Sequence, residues 1–297
     1  MFKDAISKVR DFTRPIMFIS RNYNSKTVIP GLATLFFIND SGCAITCKHV
    51  AEMFLQADQI NENYNNFKKG VSAAKLANPY NYKKEVRQLE RKYNIQYGST
   101  INAKVMFMDV PAPIGEIDVH MHPSCDLAII QFKNFETLNY CSENIFLLKD
   151  EADIQPGRSL CRLGYPFPEF TNFKYNEDLD DIEWTDEPSN VPSFPIDGII
   201  TRHLGDESGN VFGIELSTPG LRGQSGGPLF DTQGRIYGMQ FATNHLHLGF
   251  DMEKQPIHIN GETKIINNQP FLHVGGCIHV SIIKEFLDEH QISYKMV

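Results

Sequence analysis

The sequence predicts a mostly-β fold of the barrel or sandwich kind, on two observations. Short β-branched and aromatic runs recur along the chain, each cut by Gly, Pro, Asn or Asp, and only two segments carry a helical apolar period. At 297 residues and 41% hydrophobic content, the chain has enough apolar material for a sizeable core or for two packed subdomains.

The first clear strand is 34–38 (TLFFI); a turn at 39–42 leads into a second at 43–47. Further strands are expected at 104–110, 127–132, 159–163, 198–203, 211–217, 228–230, 235–242 and 276–280. The tetrapeptide Asp231-Thr232-Gln233-Gly234 between two of these runs reads as a hairpin turn. One helix is expected at 281–290, capped by Ser281, with Ile282, Ile283, Phe286 and Leu287 on one face. A second is expected at 82–93, where Val86 and Leu89 complete an apolar stripe.

Charge is unevenly spread. Net charge is −8, which argues against nucleic-acid binding through bulk charge. Segment 167–197 holds nine acids and one base, so it carries −8 by itself and the rest of the chain sums to zero. Segment 61–100 holds eight basic and three acidic residues, a net of +5, and could fold against the acidic one. No stretch has the apolar run needed to span a bilayer, so no membrane partner is expected. The first residues, 1–14, mix charges with isolated hydrophobes and do not read as a secretory signal. The six cysteines (43, 47, 125, 141, 161 and 277) form no CxxC pair, and four of them lie in apolar runs. A reducing, cytoplasmic setting is therefore expected.

Three short segments carry chemistry. Gly223-Gln224-Ser225-Gly226-Gly227-Pro228 surrounds a serine with glycines. A serine hydroxyl needs a base to become a nucleophile, and its attack builds an oxyanion that needs donors already in place. Glycine lets the backbone turn so that the N–H groups of Gly223 and Ser225 face one point. The second segment is Thr46-Cys47-Lys48-His49-Val50-Ala51, a histidine where an apolar strand enters a helical turn. In the third, Cys125-Asp126-Leu127-Ala128-Ile129-Ile130, an aspartate directly precedes an apolar strand. A carboxylate there is costly without a hydrogen-bond donor, and an imidazole N–H is one such donor. The pairs His120/His122 and His245/His247 alternate as strand ligands would, but solvated histidines are the plainer reading, and no metal or cofactor is expected.

TCKHV, SCDLAII and GQSGGPLF, in the order His, Asp, Ser, resemble the trypsin/chymotrypsin superfamily, and most closely the HtrA/Deg-like protease domain. Supporting pieces are Leu163-Gly164-Tyr165-Pro166, Gly198-Ile199-Ile200, residues 234–239 and residues 276–280, so the likeness covers 30–291 apart from the two charged insertions. The resemblance implies a chymotrypsin-like pair of six-stranded antiparallel β-barrels with a C-terminal helix and a short helical insertion. On that reading, 1–29 is an N-terminal extension, 30–145 the first barrel with the partly helical basic insertion 61–100, and 146–297 the second barrel with the acidic loop 167–197.

The resemblance further implies a serine endopeptidase acting on protein or peptide substrates. His49 is the base, Asp126 its orienting partner and Ser225 the nucleophile, and the N–H groups of Gly223 and Ser225 form the oxyanion hole. It places the floor of the P1 pocket near Pro219 and one wall at Gln240, Phe241 and Ala242. With no acid at the floor, an uncharged P1 residue is expected; His245 reads as a solvated turn residue. Departures from the pattern are Gln224 where trypsin-like zymogens carry aspartate, the absence of a PDZ-like segment, and the spacing of 77 positions from His49 to Asp126. Two competing readings are a catalytically silent binding module on the same fold and a protease held inactive until a regulatory partner arrives.

Overall fold

The computed structural model describes residues 1–250, 252–259, 261–268 and 271–297. Two six-stranded antiparallel sheets form the body, in a chymotrypsin-like fold. The first contains β1 (Thr13–Asn22), β2 (Val28–Phe37), β3 (Cys43–Thr46), β4 (Thr100–Phe107), β5 (Glu116–Met121) and β6 (Ala128–Lys133), in the order β4-β1-β2-β3-β6-β5. It is a half-barrel rather than the closed barrel expected, because β4 and β5 remain unpaired edges. The second sheet closes. It contains β7 (Ser159–Gly164), β10 (Phe194–Gly205), β11 (Val211–Leu216), β12 (Pro228–Phe230), β13 (Ile236–His247) and β16 (Phe271–His279). Two hairpins stand apart: β8 (Phe173–Asn176) with β9 (Asp181–Trp184), and β14 (Met252–Ile259) with β15 (Glu262–Asn268).

Residues 1–29 are not an extension. Helix α1 (Lys3–Arg10) buries Ala5 and Val9 against the core, and Phe2 just before it lies edge-on to Phe230 at 6.4 Å between ring centres. Strand β1 lies inside the first sheet, between β2 and β4. Its sequence, TRPIMFISRN, hides the strand signal. Arg21 is buried and needs partners distant in sequence, namely Asn102 Oδ1 at 2.9 Å and Asp180 Oδ1 at 2.8 Å.

The basic insertion is more helical than its sequence suggests. Helix α2 (Lys48–Ala77) runs 30 residues, about 45 Å, where only one turn was expected after His49. Its buried residues are widely spaced, Val50, Ala51, Ala57, Tyr64 and Phe67, which gives a weak periodic signal. Helix α3 (Lys83–Lys92) matches the expected 82–93, and its Val86 and Leu89 pack against the buried cluster of Tyr64, Phe67, Ile95 and Ile101. Helix α4 (Val280–Glu289) matches the expected C-terminal helix, but its cap is His279, whose Nδ1 accepts from the Ser281 N–H at 3.1 Å.

The two charged insertions do meet. Asp180 Oδ2 accepts from the Tyr64 hydroxyl at 2.6 Å, and Lys68 Nζ donates to the Leu179 carbonyl at 2.9 Å. The acidic segment is therefore partly ordered as the β8–β9 hairpin against α2, rather than a plain loop.

Candidate active site

Strand pairing brings His49 to Asp126. Strands β3 and β6 are antiparallel with Thr46 opposite Ala128. The chain leaving β3 reaches His49 in the first turn of α2, beside Asp126, two residues upstream of β6. One carboxylate oxygen, Oδ1, accepts the His49 backbone N–H at 3.0 Å, and the other, Oδ2, lies 2.7 Å from His49 Nδ1. Burial pushes the Asp126 carboxyl pKa upward, but the hydrogen bonds from the His49 side chain and backbone outweigh it and hold it below its ordinary value. Asp126 thus stays an anion, and its contact at Nδ1 leaves Nε2 as the ring nitrogen available to take a proton. The imidazole is about half exposed, with 46% of its side chain accessible.

The serine loop comes from the second barrel and rests on the first sheet. The Gln240 carbonyl of β13 accepts the Gly226 N–H at 2.9 Å and the Cys47 thiol at 3.3 Å. The residue after Ser225 and the residue two before His49 therefore share one acceptor. Thr34 of β2 donates its N–H to the Ser225 carbonyl at 2.9 Å and its hydroxyl to the Gly223 carbonyl at 2.8 Å. Glycine is required where the loop is pressed down. Gly226 has φ +86°, and a Cβ there would lie 2.0 Å from the Thr34 carbonyl oxygen; Gly223 has φ +94° and would meet the Tyr165 carbonyl at 2.4 Å.

Among the described residues, the N–H groups of Gly223 and Ser225 donate to no protein acceptor, and the Ser225 hydroxyl has no hydrogen bond. Unpaired N–H groups on adjoining turns of a loop can receive an oxyanion. Gln224 is fully buried and fixes this loop: its Oε1 accepts from the Leu221 N–H at 2.9 Å and its Nε2 donates to the Phe194 carbonyl at 3.0 Å.

The residues expected around the P1 pocket lie side by side, but with a residue the sequence reading missed. Arg162 of β7 has no solvent-accessible surface. Its Nη1 donates to Gln240 Oε1 at 2.7 Å, and its Nη2 donates to Thr218 Oγ1 at 2.7 Å, to the Thr218 carbonyl at 3.0 Å and to the Pro219 carbonyl at 3.1 Å. The floor of the expected pocket is therefore backed by a cation, although Pro219 itself is uncharged. An arginine inside the apolar run SLCRLG was the available signal, since a guanidinium is almost never fully buried without a paired group. Gln240 Nε2 donates to the Ala242 carbonyl at 2.6 Å, and Thr243 Oγ1 donates to the Gly220 carbonyl at 2.7 Å, which ties the wall strand to the floor segment. The Phe241 ring lies over Gly276.

The other histidines do not join the site. His120 packs on His290 with ring centres 4.1 Å apart, and His122 Nδ1 accepts the Cys125 N–H at 2.9 Å. His245 is exposed on β13, not on a turn, with its Nδ1 2.5 Å from that of His273. Among the described residues, metal-ligating atoms gather within 4.8 Å of one another at Cys47, His49 and Asp126, which belong to the site itself. Burial holds the Cys47 thiol well above its ordinary pKa.

The fold and this site define a protein of the trypsin-like peptidase class. The trypsin-like peptidase domain family matches residues 33–239, and the chain belongs to that family. Among solved structures it is similar to the HtrA-type protease AlgW with decapeptide, at 12% identity and a TM-score of 0.50, over 97% of this chain and 67% of that one. It is also similar to an AlgW variant with tripeptide, at 13% identity and a TM-score of 0.49, over 97% of this chain and 63% of that one. At such identities the likeness is one of fold, and this chain spans about 63% of the length of the latter. No curated protein sequence matches it.

Proposed function

We propose that the chain is a serine endopeptidase that cleaves protein or peptide substrates through an acyl-enzyme. His49 Nε2 takes the proton of the Ser225 hydroxyl as Oγ attacks the scissile carbonyl carbon. The developing oxyanion is received by the N–H groups of Gly223 and Ser225. Asp126 stabilises the imidazolium, which then protonates the leaving amine as the C–N bond breaks. Water, deprotonated in turn by His49, hydrolyses the ester and restores the serine. The observation that carries this reading is the two-point clamp of Asp126 on His49, with contacts of 3.0 and 2.7 Å that hold the backbone and the ring together. A reducing, cytoplasmic setting belongs to the same reading and is supported by six free cysteines.

One observation favours a second reading, an enzyme opened by its substrate or by a regulatory partner. The Thr243 hydroxyl donates to the Gly220 carbonyl at 2.7 Å and so joins the two segments expected to flank the P1 pocket. Incubation with an unfolded protein such as casein separates the outcomes. Fragmentation that is lost in Ser225→Ala supports a constitutive peptidase. Fragmentation that requires an added activator peptide supports the second reading, and none under either condition contradicts both.

A further inference from the structure

Resting on the proteolytic reading above, we propose that Arg162 makes the P1 pocket selective for an acidic side chain, so that cleavage follows aspartate or glutamate. The guanidinium reaches the floor at Pro219 and the wall at Gln240 from below, with contacts of 3.1 and 2.7 Å. Its acceptors are all neutral: one side-chain amide, one hydroxyl and two backbone carbonyls. Its Nε–H has no acceptor, and among the described residues Arg162 forms no ion pair. A guanidinium keeps its proton in a protein interior, so a whole positive charge sits here without a counter-charge.

The surroundings are shaped for the charge. A Cβ on Gly275 would lie 2.2 Å from Arg162 Nη1, and a Cβ on Gly220 would lie 2.4 Å from Gln240 Nε2. The glycines at 275 and 220 therefore leave room for the fork and its amide partner. At rest, Gln240 Oε1 and the Thr218 and Pro219 oxygens occupy the fork. A P1 carboxylate, with two anionic oxygens, replaces neutral acceptors with a charge-assisted pair. For it to enter, the Thr243–Gly220 bond must open and Gln240 must turn aside. Lysine or arginine at P1 meets a like charge, and a large apolar side chain strips the fork of acceptors and supplies none. The competing role for Arg162 is an interior brace between Thr218 and Gln240. That role leaves a filled slot that accepts only small P1 residues.

The test uses the full chain and fluorogenic peptide pools that differ only at P1, fixed as Asp, Glu, Asn, Gln, Ala, Leu or Arg. Asp over Asn, or Glu over Gln, should be favoured by at least about tenfold in kcat/KM. Arg162→Met should abolish the preference and Arg162→Lys should keep part of it, with thermal melts to confirm folding. The comparison of acid with amide on the unmodified chain needs no variant. The same peptides are titrated by fluorescence anisotropy against Ser225→Ala, which reads the pocket without turnover. If no peptide is cleaved but this protein still prefers acid to amide, the proteolytic reading fails and the pocket assignment stands. If acid and amide are equal in cleavage and in binding, or alanine exceeds both acids, Arg162 is only a brace and the proposal is overturned.

Discussion

The backbone N–H of Thr34 donates to the carbonyl oxygen of Ser225 at 2.9 Å, and through this bond the first sheet holds the serine loop of the second barrel. The Thr34 hydroxyl adds two links: it donates to the Gly223 carbonyl at 2.8 Å and accepts the Tyr165 N–H at 3.2 Å. Thr34→Val keeps the shape and removes the hydroxyl. It should cost about 1–3 kcal/mol of stability, the range for leaving buried polar groups unpaired. It should also lower kcat by roughly tenfold or more with little change in KM, since the loop it steadies acts on the transition state. Denaturant titration and steady-state kinetics on one preparation check both.

Asp126→Asn tests the clamp on His49. The amide oxygen can still accept the backbone N–H of His49, but its NH2 group then faces Nδ1 and favours the tautomer with the proton on Nε2. Turnover should fall by about 10⁴, with the melting temperature changing far less in proportion. An Asn variant within tenfold of the unmodified chain contradicts the role given to Asp126.

Asp180 ties the acidic hairpin to both the first sheet and the basic helix. Its carboxylate accepts from Tyr64 at 2.6 Å and Tyr175 at 2.8 Å and pairs with Arg21 at 2.8 Å. Burial raises its pKa, yet the tyrosine hydrogen bonds and the Arg21 charge bring it below its ordinary value. Arg21 is buried, so Asp180→Asn leaves a cation poorly paired. Because the carboxylate is 36% exposed, solvent screens part of the loss. A destabilisation of about 1–2 kcal/mol is expected, smaller in high salt, by thermal unfolding at two ionic strengths.

His279 gives the chain an acid-side weakness. It is buried, and burial lowers its pKa from 6.5 to about 4, with the neutral ring capping α4. Between these values the unfolded chain binds more protons than the folded one. The stability contributed above pH 6.5 is therefore lost as pH falls toward 4, on the order of 3 kcal/mol in all. His279→Asn retains a capping acceptor. Its stability should fall less steeply over that window, as measured by urea titration at stepped pH.

The legible parts of the sequence were those where local pattern and tertiary role agree. Strands 43–46 and 228–230 are buried along their whole length and mostly apolar, and Asp126 stood out because a carboxylate before a buried strand needs a donor. The parts that escaped depend on partners far away in sequence. β1 reads poorly because Arg21 is buried through Asn102 and Asp180, and α2 reads poorly because its apolar contacts recur only about once every two turns. Arg162 lay inside a correctly placed strand. Its meaning came only with Thr218, Pro219 and Gln240 around it, which no spacing in the sequence brings together.

The most direct measurement is covalent labelling with a fluorophosphonate, followed by peptide mapping of the adduct. The account predicts modification at Ser225, strongly slowed in His49→Ala and absent in Ser225→Ala, with all three proteins folded. An unlabelled wild type, or an adduct on another residue that persists in Ser225→Ala, would contradict it.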